Sequence, residues 1–329
     1  MRGAMAVKAK ILVTSVLPQG PIEQLEKTCQ VMVHDESKAL SKEELMEKVA
    51  DVDGIICLLS DTIDQEVLDA AKKAKVIANY AVGYNNIDVA YATKKGIAVT
   101  NTPGVLTDAT ADLAWVLLFA VARRVVEGDR FTREGRFEGW QPMLFLGQDV
   151  SHTTLGIIGA GRIGSNFAKK AKAFDMKILY HNRRPNKAFE EETGALYVDK
   201  ETLLRESDYV SLHVPLTNET RHMLGEREFK MMKPNAILIN TARGPVVDEK
   251  ALVKALKEGW IWGAGLDVYE EEPAVEPELL KLDNVVLLPH VGSATTSTRT
   301  KMAQMVVDNV LEALKGNVPP NCINPEIYR

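Results

Sequence analysis

Short apolar segments rich in β-branched residues alternate with helix-like segments along this chain of 329 residues. In the N-terminal third, the apolar segments predict strands at residues 11–16, 31–34, 54–59, 76–80 and 97–101. Helical patterns lie between them, for example at residues 42–49 and 65–73. This alternation is typical of a parallel β-sheet covered by helices. Strands that are apolar almost throughout are suited to burial on both faces of such a sheet.

A second series of strands begins after a break at residues 101–104. A long helix is predicted over residues 107–124, with Asp108 placed to cap its start, and an irregular arm follows at residues 135–147. The second series predicts strands at residues 155–159, 177–181, 209–214, 236–241, 263–268 and 285–288. Six strands is the number in a full dinucleotide-binding sheet. A helix at residues 296–315 and a polar tail at 316–329 close the chain.

The composition argues against several classes of protein. The net charge is −5, and no basic face of the kind that nucleic-acid binding needs is visible. The longest apolar run, residues 113–122, is too short to span a bilayer. The three cysteines suggest no disulfide framework, and no zinc-binding spacing is present. Residues 1–10 lack a signal-peptide pattern, and together with the cysteine count this predicts a cytoplasmic protein. We expect no metal. Either Met1 or Met5 could be the natural start.

A glycine-rich turn follows the first strand of the second series. Residues 159–164 read GAGRIG, and a helical pattern continues over residues 165–174. In this context Gly159 permits a tight turn, Gly161 leaves room for a pyrophosphate against the backbone, and Gly164 lets helix and strand pack closely. The helix N-terminus offers amide donors to the phosphates. The segment therefore predicts a dinucleotide site rather than a glycine-rich turn without a ligand.

The end of the next strand predicts which dinucleotide binds. An NAD enzyme usually carries an acid there that bonds the ribose 2′-hydroxyl. Here the strand is followed by Asn182, Arg183 and Arg184, and no acid occurs until Glu190. Guanidinium groups are suited to bidentate phosphate recognition. We therefore expect NADP(H) to be preferred over NAD(H), the alternative being that the two arginines belong to a solvated turn.

Three further segments each follow a predicted strand of the second series. They carry Arg243 after the strand at 236–241, Glu272 after the strand at 263–268, and His290 after the strand at 285–288. Ligands in such folds bind outside the carboxyl ends of the strands, where these segments can converge.

The combination resembles the D-isomer-specific 2-hydroxyacid dehydrogenase family. The supporting segments are the glycine turn, the three segments just described, and residues 81–88, 107–112 and 213–217. Within the family the chain is most similar to the glyoxylate/hydroxypyruvate reductases, because of residues 180–184 and the arm at 140–147. The resemblance implies an α/β fold of two doubly wound, Rossmann-like parallel-sheet domains with a cleft between them.

The resemblance implies a catalytic set, and elementary chemistry agrees with it. His290 would donate the proton to the carbonyl oxygen, since an unperturbed histidine pKa of ~6.5 lies near working pH. Glu272, chosen because the family's glutamate directly precedes a proline, would orient the imidazole and favour its charged form. Arg243 would hold the substrate carboxylate and polarise the carbonyl. Glu270 and Glu271 are interpreted as solvated loop residues.

The remaining histidines are interpreted as structural or solvated. His213 lies beside the expected nicotinamide position but is interpreted as structural. The other four, which lack an acid partner in any recognisable motif, are His34, His152, His181 and His222.

The resemblance also implies the remaining binding residues. Besides the glycines and residues 182–184, those expected at the cofactor are Thr107, Arg162, Ile163, Val214, Pro215, Thr241, Ala242, Asp267 and Gly292. For Asp267 the alternative is a helix cap or a loop hydrogen bond. The residues expected at the substrate are Leu58, Val82, Gly83, Arg243 and His290.

The expected organisation is discontinuous. Residues 1–106 and 295–329 would form the substrate-binding domain, and residues 107–294 the NAD(P)-binding domain with the dimerisation arm. We expect a homodimer that reduces a small 2-oxo acid to the 2-hydroxy acid. Trp140 would either reach the active site of a neighbouring subunit or pack in an ordinary interface. The alternatives are a phosphoglycerate or D-lactate dehydrogenase of the same family, or a non-catalytic, nucleotide-sensing corepressor.

Overall fold

The computed structural model describes residues 8–36 and 38–329. Met1 and Met5, the two candidate starts, lie outside the described residues. The strands are β1 (Lys10–Val13), β2 (Gln30–Val33), β3 (Gly54–Cys57), β4 (Val76–Asn79), β5 (Ala98–Thr100), β6 (Thr154–Ile158), β7 (Lys177–His181), β8 (Leu196–Tyr197), β9 (Tyr209–Leu212), β10 (Ile237–Asn240), β11 (Gly263–Leu266) and β12 (Val285–Leu287).

The helices occupy most of the segments between the strands. They are α1 (Gln19–Glu26), α2 (Lys42–Val49), α3 (Gln65–Ala70), α4 (Val89–Lys94), α5 (Thr107–Ala122), α6 (Val125–Arg133), α7 (Arg162–Ala171), α8 (Lys187–Thr193), α9 (Lys200–Glu206), α10 (Glu226–Phe229), α11 (Glu249–Lys257) and α12 (Thr296–Leu314). Short 3₁₀ helices occur at Lys172–Phe174, Gly244–Val246, Leu279–Lys281 and Pro325–Tyr328.

The chain divides into two compact units. Unit 1 comprises residues up to 106 together with residues 294–329, and unit 2 comprises residues 107–293. Among its described residues, unit 1 contains a parallel sheet of order β2-β1-β3-β4-β5. The tail is part of this unit, because Ile323 donates to the carbonyl of Val99 and the buried Asn324 accepts from the Val99 amide.

Unit 2 contains a parallel sheet of order β12-β11-β10-β9-β6-β7-β8. Its strands β6, β9, β10 and β11 are buried, as their apolar sequences require. The two doubly wound α/β domains predicted from the sequence are therefore confirmed. Because all strands are parallel, their carboxyl ends lie at one edge of the sheet, and the segments that follow them lie there too.

Three expectations for unit 2 were wrong in detail. The sheet has a seventh strand, β8, whose two residues are exposed and too short to give a pattern. The helix predicted over residues 107–124 ends at Ala122, and α6 follows it after Arg124, whose φ is 53°. Asp108 lies inside the first turn of α5 and not at its cap, and it accepts a hydrogen bond from Asn166 at 2.7 Å.

Candidate active site

His290 and Glu272 form a close pair at the carboxyl edge of the unit 2 sheet. The Nδ1 atom of His290 lies 2.7 Å from the Oε2 atom of Glu272. The second carboxylate oxygen, Oε1, accepts the Tyr269 amide at 3.0 Å. The side chains are 25% and 29% exposed, so the pair is accessible from solvent. Among the described residues, the Nε2 atom of His290 has no hydrogen-bond partner and is available to a ligand.

The ionised form of Glu272 is stabilised by neighbouring groups. Burial disfavours the ionised carboxylate, and the hydrogen bond and charge of His290 oppose that effect. The Tyr269 amide and the Arg243 charge act in the same direction, so the pKa of Glu272 lies below its usual value. An ionised Glu272 is a charged acceptor for the His290 ring nitrogen.

The loop that carries His290 is fixed by Asp267. One oxygen of the buried Asp267 accepts the Val291 amide at 2.7 Å, and the other accepts the Gly292 amide at 2.8 Å. Burial raises the pKa of Asp267 even though these amides favour its charge. His290 itself has a φ of 53°, in the left-handed region, which requires support from its neighbours. Asp267 thus forms the loop hydrogen bonds that were the alternative to cofactor contact.

Arg243 is positioned by a side-chain-stabilised turn after β10. The buried Asn240 accepts the Ala242 amide and donates to the Arg243 carbonyl, both at 3.0 Å. The Nη1 atom of Arg243 donates to the Ala242 carbonyl at 2.7 Å. Burial lowers the pKa of Arg243, and the nearby Glu272 charge opposes that shift. A guanidinium remains charged at neutral pH under such shifts, so Arg243 is a partly buried cation near the His290–Glu272 pair.

Gly244 brings the Arg243 turn against the segment that carries Glu272. A Cβ atom at Gly244 would lie 1.8 Å from the carbonyl carbon of Tyr269. Only glycine allows this approach of two backbones. Tyr269 also donates from its hydroxyl to the Leu288 carbonyl at 2.8 Å, just before the His290 loop. The three segments predicted to converge therefore lie together in unit 2.

The glycine turn after β6 has the geometry expected of a phosphate-binding turn. Gly159 has a φ of 100°, and a Cβ atom there would lie 2.7 Å from the carbonyl carbon of His213. A Cβ atom at Gly164 would lie 2.2 Å from the carbonyl oxygen of Gly159, so helix α7 and the turn are closely packed. At Gly161, the N-cap of α7, a Cβ atom would meet nothing within 4 Å. Open space at a ten-residue helix N-terminus is suited to a phosphate group.

The segment after β7 lies beside this turn. The Oδ1 atom of Asn182 accepts the Ala160 amide at 2.8 Å. Arg183 and Arg184 are exposed. Glu190, the first acid after the strand, accepts a hydrogen bond from the Tyr180 hydroxyl at 2.6 Å. No carboxylate within residues 182–186 occupies the usual position of the acid that selects NAD.

Other residues expected at the cofactor lie at the same edge of the sheet. The Thr241 side chain is buried, and its hydroxyl has no hydrogen-bond partner among the described residues. Such an unpaired buried group is unusual unless a ligand completes it. Together with the open space at Gly161, it fits a bound dinucleotide. The remaining expected residues lie at the starts of α5 and α7 or after β9, β10 and β12. Gly292 is buried, and the others are partly buried or exposed: Thr107, Arg162, Ile163, Val214, Pro215 and Ala242.

The substrate residues expected in unit 1 lie after β3 and β4. The carbonyls of Val82 and Gly83 accept hydrogen bonds from Asn101 and Asn79, each at 2.8 Å. Among the described residues, nothing accepts from the amides of Val82 and Gly83. The Leu58 amide, in contrast, donates to Asp61 at 2.7 Å. The amides of Val82 and Gly83 are therefore donors without an acceptor among the described residues.

Two histidine interpretations have different outcomes. Burial lowers the pKa of His213 to about 3, and its Nε2 atom lies 2.9 Å from the Ser211 hydroxyl, which agrees with a structural role. His222, interpreted as lacking an acid partner, contacts Glu270. The interpretation of Glu270 as a solvated loop residue is therefore wrong. Residues 222 and 270 are far apart in sequence, and no motif connects them.

Two further properties concern membranes and metals. Across residues 8–36 and 38–329, no helix has both the length and the apolarity needed to cross a membrane. The same residues include no cluster of three or more His, Cys, Asp or Glu side chains arranged to hold a metal ion.

A glycine turn, a parallel sheet and an Arg–Glu–His set at its carboxyl edge define a nucleotide-dependent oxidoreductase. Comparison with known proteins identifies its family. Residues 115–292 match the NAD-binding domain of D-isomer-specific 2-hydroxyacid dehydrogenases. The chain is 56% identical over 325 residues to a glyoxylate reductase of Thermococcus litoralis, and the match covers 98% of each protein. The chain belongs to the D-isomer-specific 2-hydroxyacid dehydrogenase family, and it is an NAD(P)-dependent oxidoreductase of that family.

Solved structures show the same similarity. A protein of Thermus thermophilus superposes with a TM-score of 0.90 at 47% identity, covering 95% of this chain and 99% of that one. An NADPH-dependent glyoxylate/hydroxypyruvate reductase of Sinorhizobium meliloti, solved with NADP and malonate, has a TM-score of 0.86 at 33% identity. That match covers 98% of each chain.

Proposed function

We propose that this enzyme reduces glyoxylate, hydroxypyruvate and similar small 2-oxo acids to 2-hydroxy acids with NADPH. The observation that carries the proposal is the His290–Glu272 pair at 2.7 Å, with Arg243 beside it and the Nε2 atom of His290 available. The glyoxylate reductase names of the relatives support the substrate class.

Each member of the set has a separate task in the proposed reaction. Arg243 binds the substrate carboxylate and polarises the carbonyl oxygen, where charge develops in the transition state. His290 donates a proton from Nε2 to that oxygen. Glu272 accepts from Nδ1, which fixes the ring and favours the imidazolium. The nicotinamide supplies the hydride when it is bound. Within unit 1, the amides of Val82 and Gly83 and the Leu58 side chain remain predicted substrate contacts.

A panel of 2-oxo acids tests this function. NADPH consumption should be fastest with glyoxylate and hydroxypyruvate, and slower with pyruvate or phosphohydroxypyruvate. Preference for phosphohydroxypyruvate or pyruvate would indicate a phosphoglycerate-type or D-lactate-type enzyme instead. Inactivity across the panel, with tight NADPH binding retained, would indicate a nucleotide sensor.

The preference for NADPH is proposed to come from Arg183 and Arg184. A 2′-phosphate can accept charge-assisted hydrogen bonds there, each contributing about 1.5–3 kcal/mol. Arg184→Ala should therefore lower kcat/KM for NADPH roughly 10- to 100-fold and leave kcat/KM for NADH within about twofold. Arg205→Ala is the control, since Arg205 pairs with Glu201 on α9. A native enzyme that prefers NADH would refute the proposal.

The arm at residues 135–147 is proposed to form a homodimer together with α5 and α6. Trp140 is 84% exposed and Met143 is 75% exposed, so neither packs within its own chain. Val125, Val126 and Phe137 add further exposed apolar surface nearby in the chain. Contiguous exposed apolar surface commonly marks a protein interface.

Light scattering after size exclusion tests the dimer. The native protein should have twice the mass of one 36.3 kDa chain. Replacing Trp140 and Met143 with serine should shift the mass towards the monomer. A monomeric native protein at micromolar concentration would contradict the dimer.

A further inference from the structure

A second histidine–carboxylate pair involves the segment that carries Glu272. The Nε2 atom of His222 contacts the Oε1 atom of Glu270, two residues before Glu272. The side chains are 42% and 22% exposed. His222 and Glu270 are not in contact with the proposed reacting atoms, so any effect on the reaction is indirect.

Glu270 is also joined to the start of helix α11. Its amide donates to the Oε1 atom of Glu249 at 2.7 Å, and the Glu249 amide donates to the Oε2 atom of Glu270 at 3.3 Å. Glu249 is buried, and burial raises its pKa, with the charges of Glu270 and Glu276 acting in the same direction. His222 is therefore the group of opposite charge, when protonated, in a cluster that is otherwise acidic.

His222 connects this cluster to the Arg243 turn as well. Its backbone amide donates to the Pro245 carbonyl at 2.8 Å, two residues after Arg243. Gly244 lies against the Tyr269–Glu270 peptide, where a Cβ atom would approach the Glu270 nitrogen to 2.4 Å. His222 thus contacts the segment before Glu272 through its side chain and the turn after Arg243 through its backbone amide.

We propose that His222, Glu270 and Glu249 form a positioning network that sets the geometry of Arg243, Glu272 and His290. The inference rests on the function proposed above. Glu272 accepts from the amide of Tyr269, so a displacement of the adjoining Glu270 moves the base that orients His290. A misplacement of about 1 Å can reduce a rate by about 100-fold. If loss of the His222–Glu270 contact moves Glu272 by about half that distance, kcat should fall roughly tenfold.

Substitutions at His222 and Glu270 test the network. His222→Ala and Glu270→Ala should each lower kcat for glyoxylate roughly tenfold, with the NADPH Kd within about twofold of native. The double variant should be no slower than the slower single variant, because both remove the same contact. His222→Gln, which keeps a donor near the Nε2 position, should recover most of the lost kcat.

A matched control is available in the same unit. His152 lies 3.9 Å from Asp175 in an exposed pair remote in sequence from the site, and His152→Ala should leave kcat at the native value. A second readout does not need turnover. The ring nitrogen chemical shifts of His290 at fixed pH report its bond to Glu272, and they should change in Glu270→Ala but not in His152→Ala.

Native kcat in both alanine variants, together with unchanged His290 shifts, would overturn the network. So would a kcat loss in Glu270→Ala that His222→Ala does not share. If the native enzyme reduces no 2-oxo acid, the proposed function fails, and the His290 shifts alone then decide the inference.

Discussion

Replacing Glu272 by glutamine is the most informative single change at the site. The substitution keeps the length and shape of the side chain but removes its charge. In the native protein the Glu272 carboxylate accepts from two donors, the His290 ring at 2.7 Å and the Tyr269 amide at 3.0 Å. A carboxamide has one oxygen and one NH₂ group. Glu272→Gln can therefore satisfy one donor only, and it places a donor against the other.

The size of the effect follows from the lost charge. A hydrogen bond to a charged group contributes about 1.5–3 kcal/mol. The two side chains are only 25% and 29% exposed, so screening by solvent should remove only a small part of that contribution. At about 1.4 kcal/mol per factor of ten, kcat should fall roughly 10- to 100-fold near neutral pH.

The assay is NADPH oxidation at saturating glyoxylate between about pH 5.5 and 9. Glu271→Gln is the matched control, because it removes the same charge one residue earlier from an exposed side chain. The control should behave as native. If the kcat of Glu272→Gln equals that of Glu271→Gln across this pH range, the orienting role of Glu272 is refuted.

Three further predictions concern binding and stability. Gly164→Ala should lower the free energy of unfolding by about 1–3 kcal/mol, because its Cβ atom would lie 2.2 Å from a backbone carbonyl oxygen. Gly161→Ala meets no neighbour within 4 Å and should instead weaken NADPH binding while leaving Tm near native; the opposite pattern would contradict the assigned roles. Burial opposes the charge of Asp208, but its bond to Lys233 lowers the pKa below 3.8. The folded pKa is the lower one, so this stabilisation is present above pH 3.8 and is lost as the pH falls through the folded value. Urea unfolding of Asp208→Asn should show a weaker loss of stability between about pH 5 and 2 than the native protein; an equal loss in both would contradict the shift.

The sequence predicted the sheets well because their strands are buried. The apolar segments that became β3 and β4 are bounded by polar turns, and each begins at the predicted residue. The exposed strand β8 was missed, since two residues cannot show a period. Helix α6 was missed; it buries none of its residues within this chain, and its apolar residues Val125 and Val126 are exposed.

The site was predictable where a motif is local. Gly159, Gly161 and Gly164 could be assigned because spacing and context are read along the chain. Asp267 could not be assigned in the same way, since its two amide donors are supplied by residues 291 and 292. The contact between His222 and Glu270 likewise joins segments that only the fold brings together. The sequence of the three adjacent glutamates at residues 270–272 does not indicate which of them makes a hydrogen bond with a histidine.

In the proposed reaction His290 donates the proton to the carbonyl oxygen, while Arg243 and Glu272 bind the substrate and orient the imidazole. His290→Asn tests it most directly, with kcat for glyoxylate and the Kd for NADPH measured on the same preparation. Loss of a general acid typically costs about 100- to 10,000-fold. We expect a fall in kcat of that size, with the NADPH Kd within about twofold of native. Turnover near the native rate in His290→Asn, with cofactor binding intact, would contradict it.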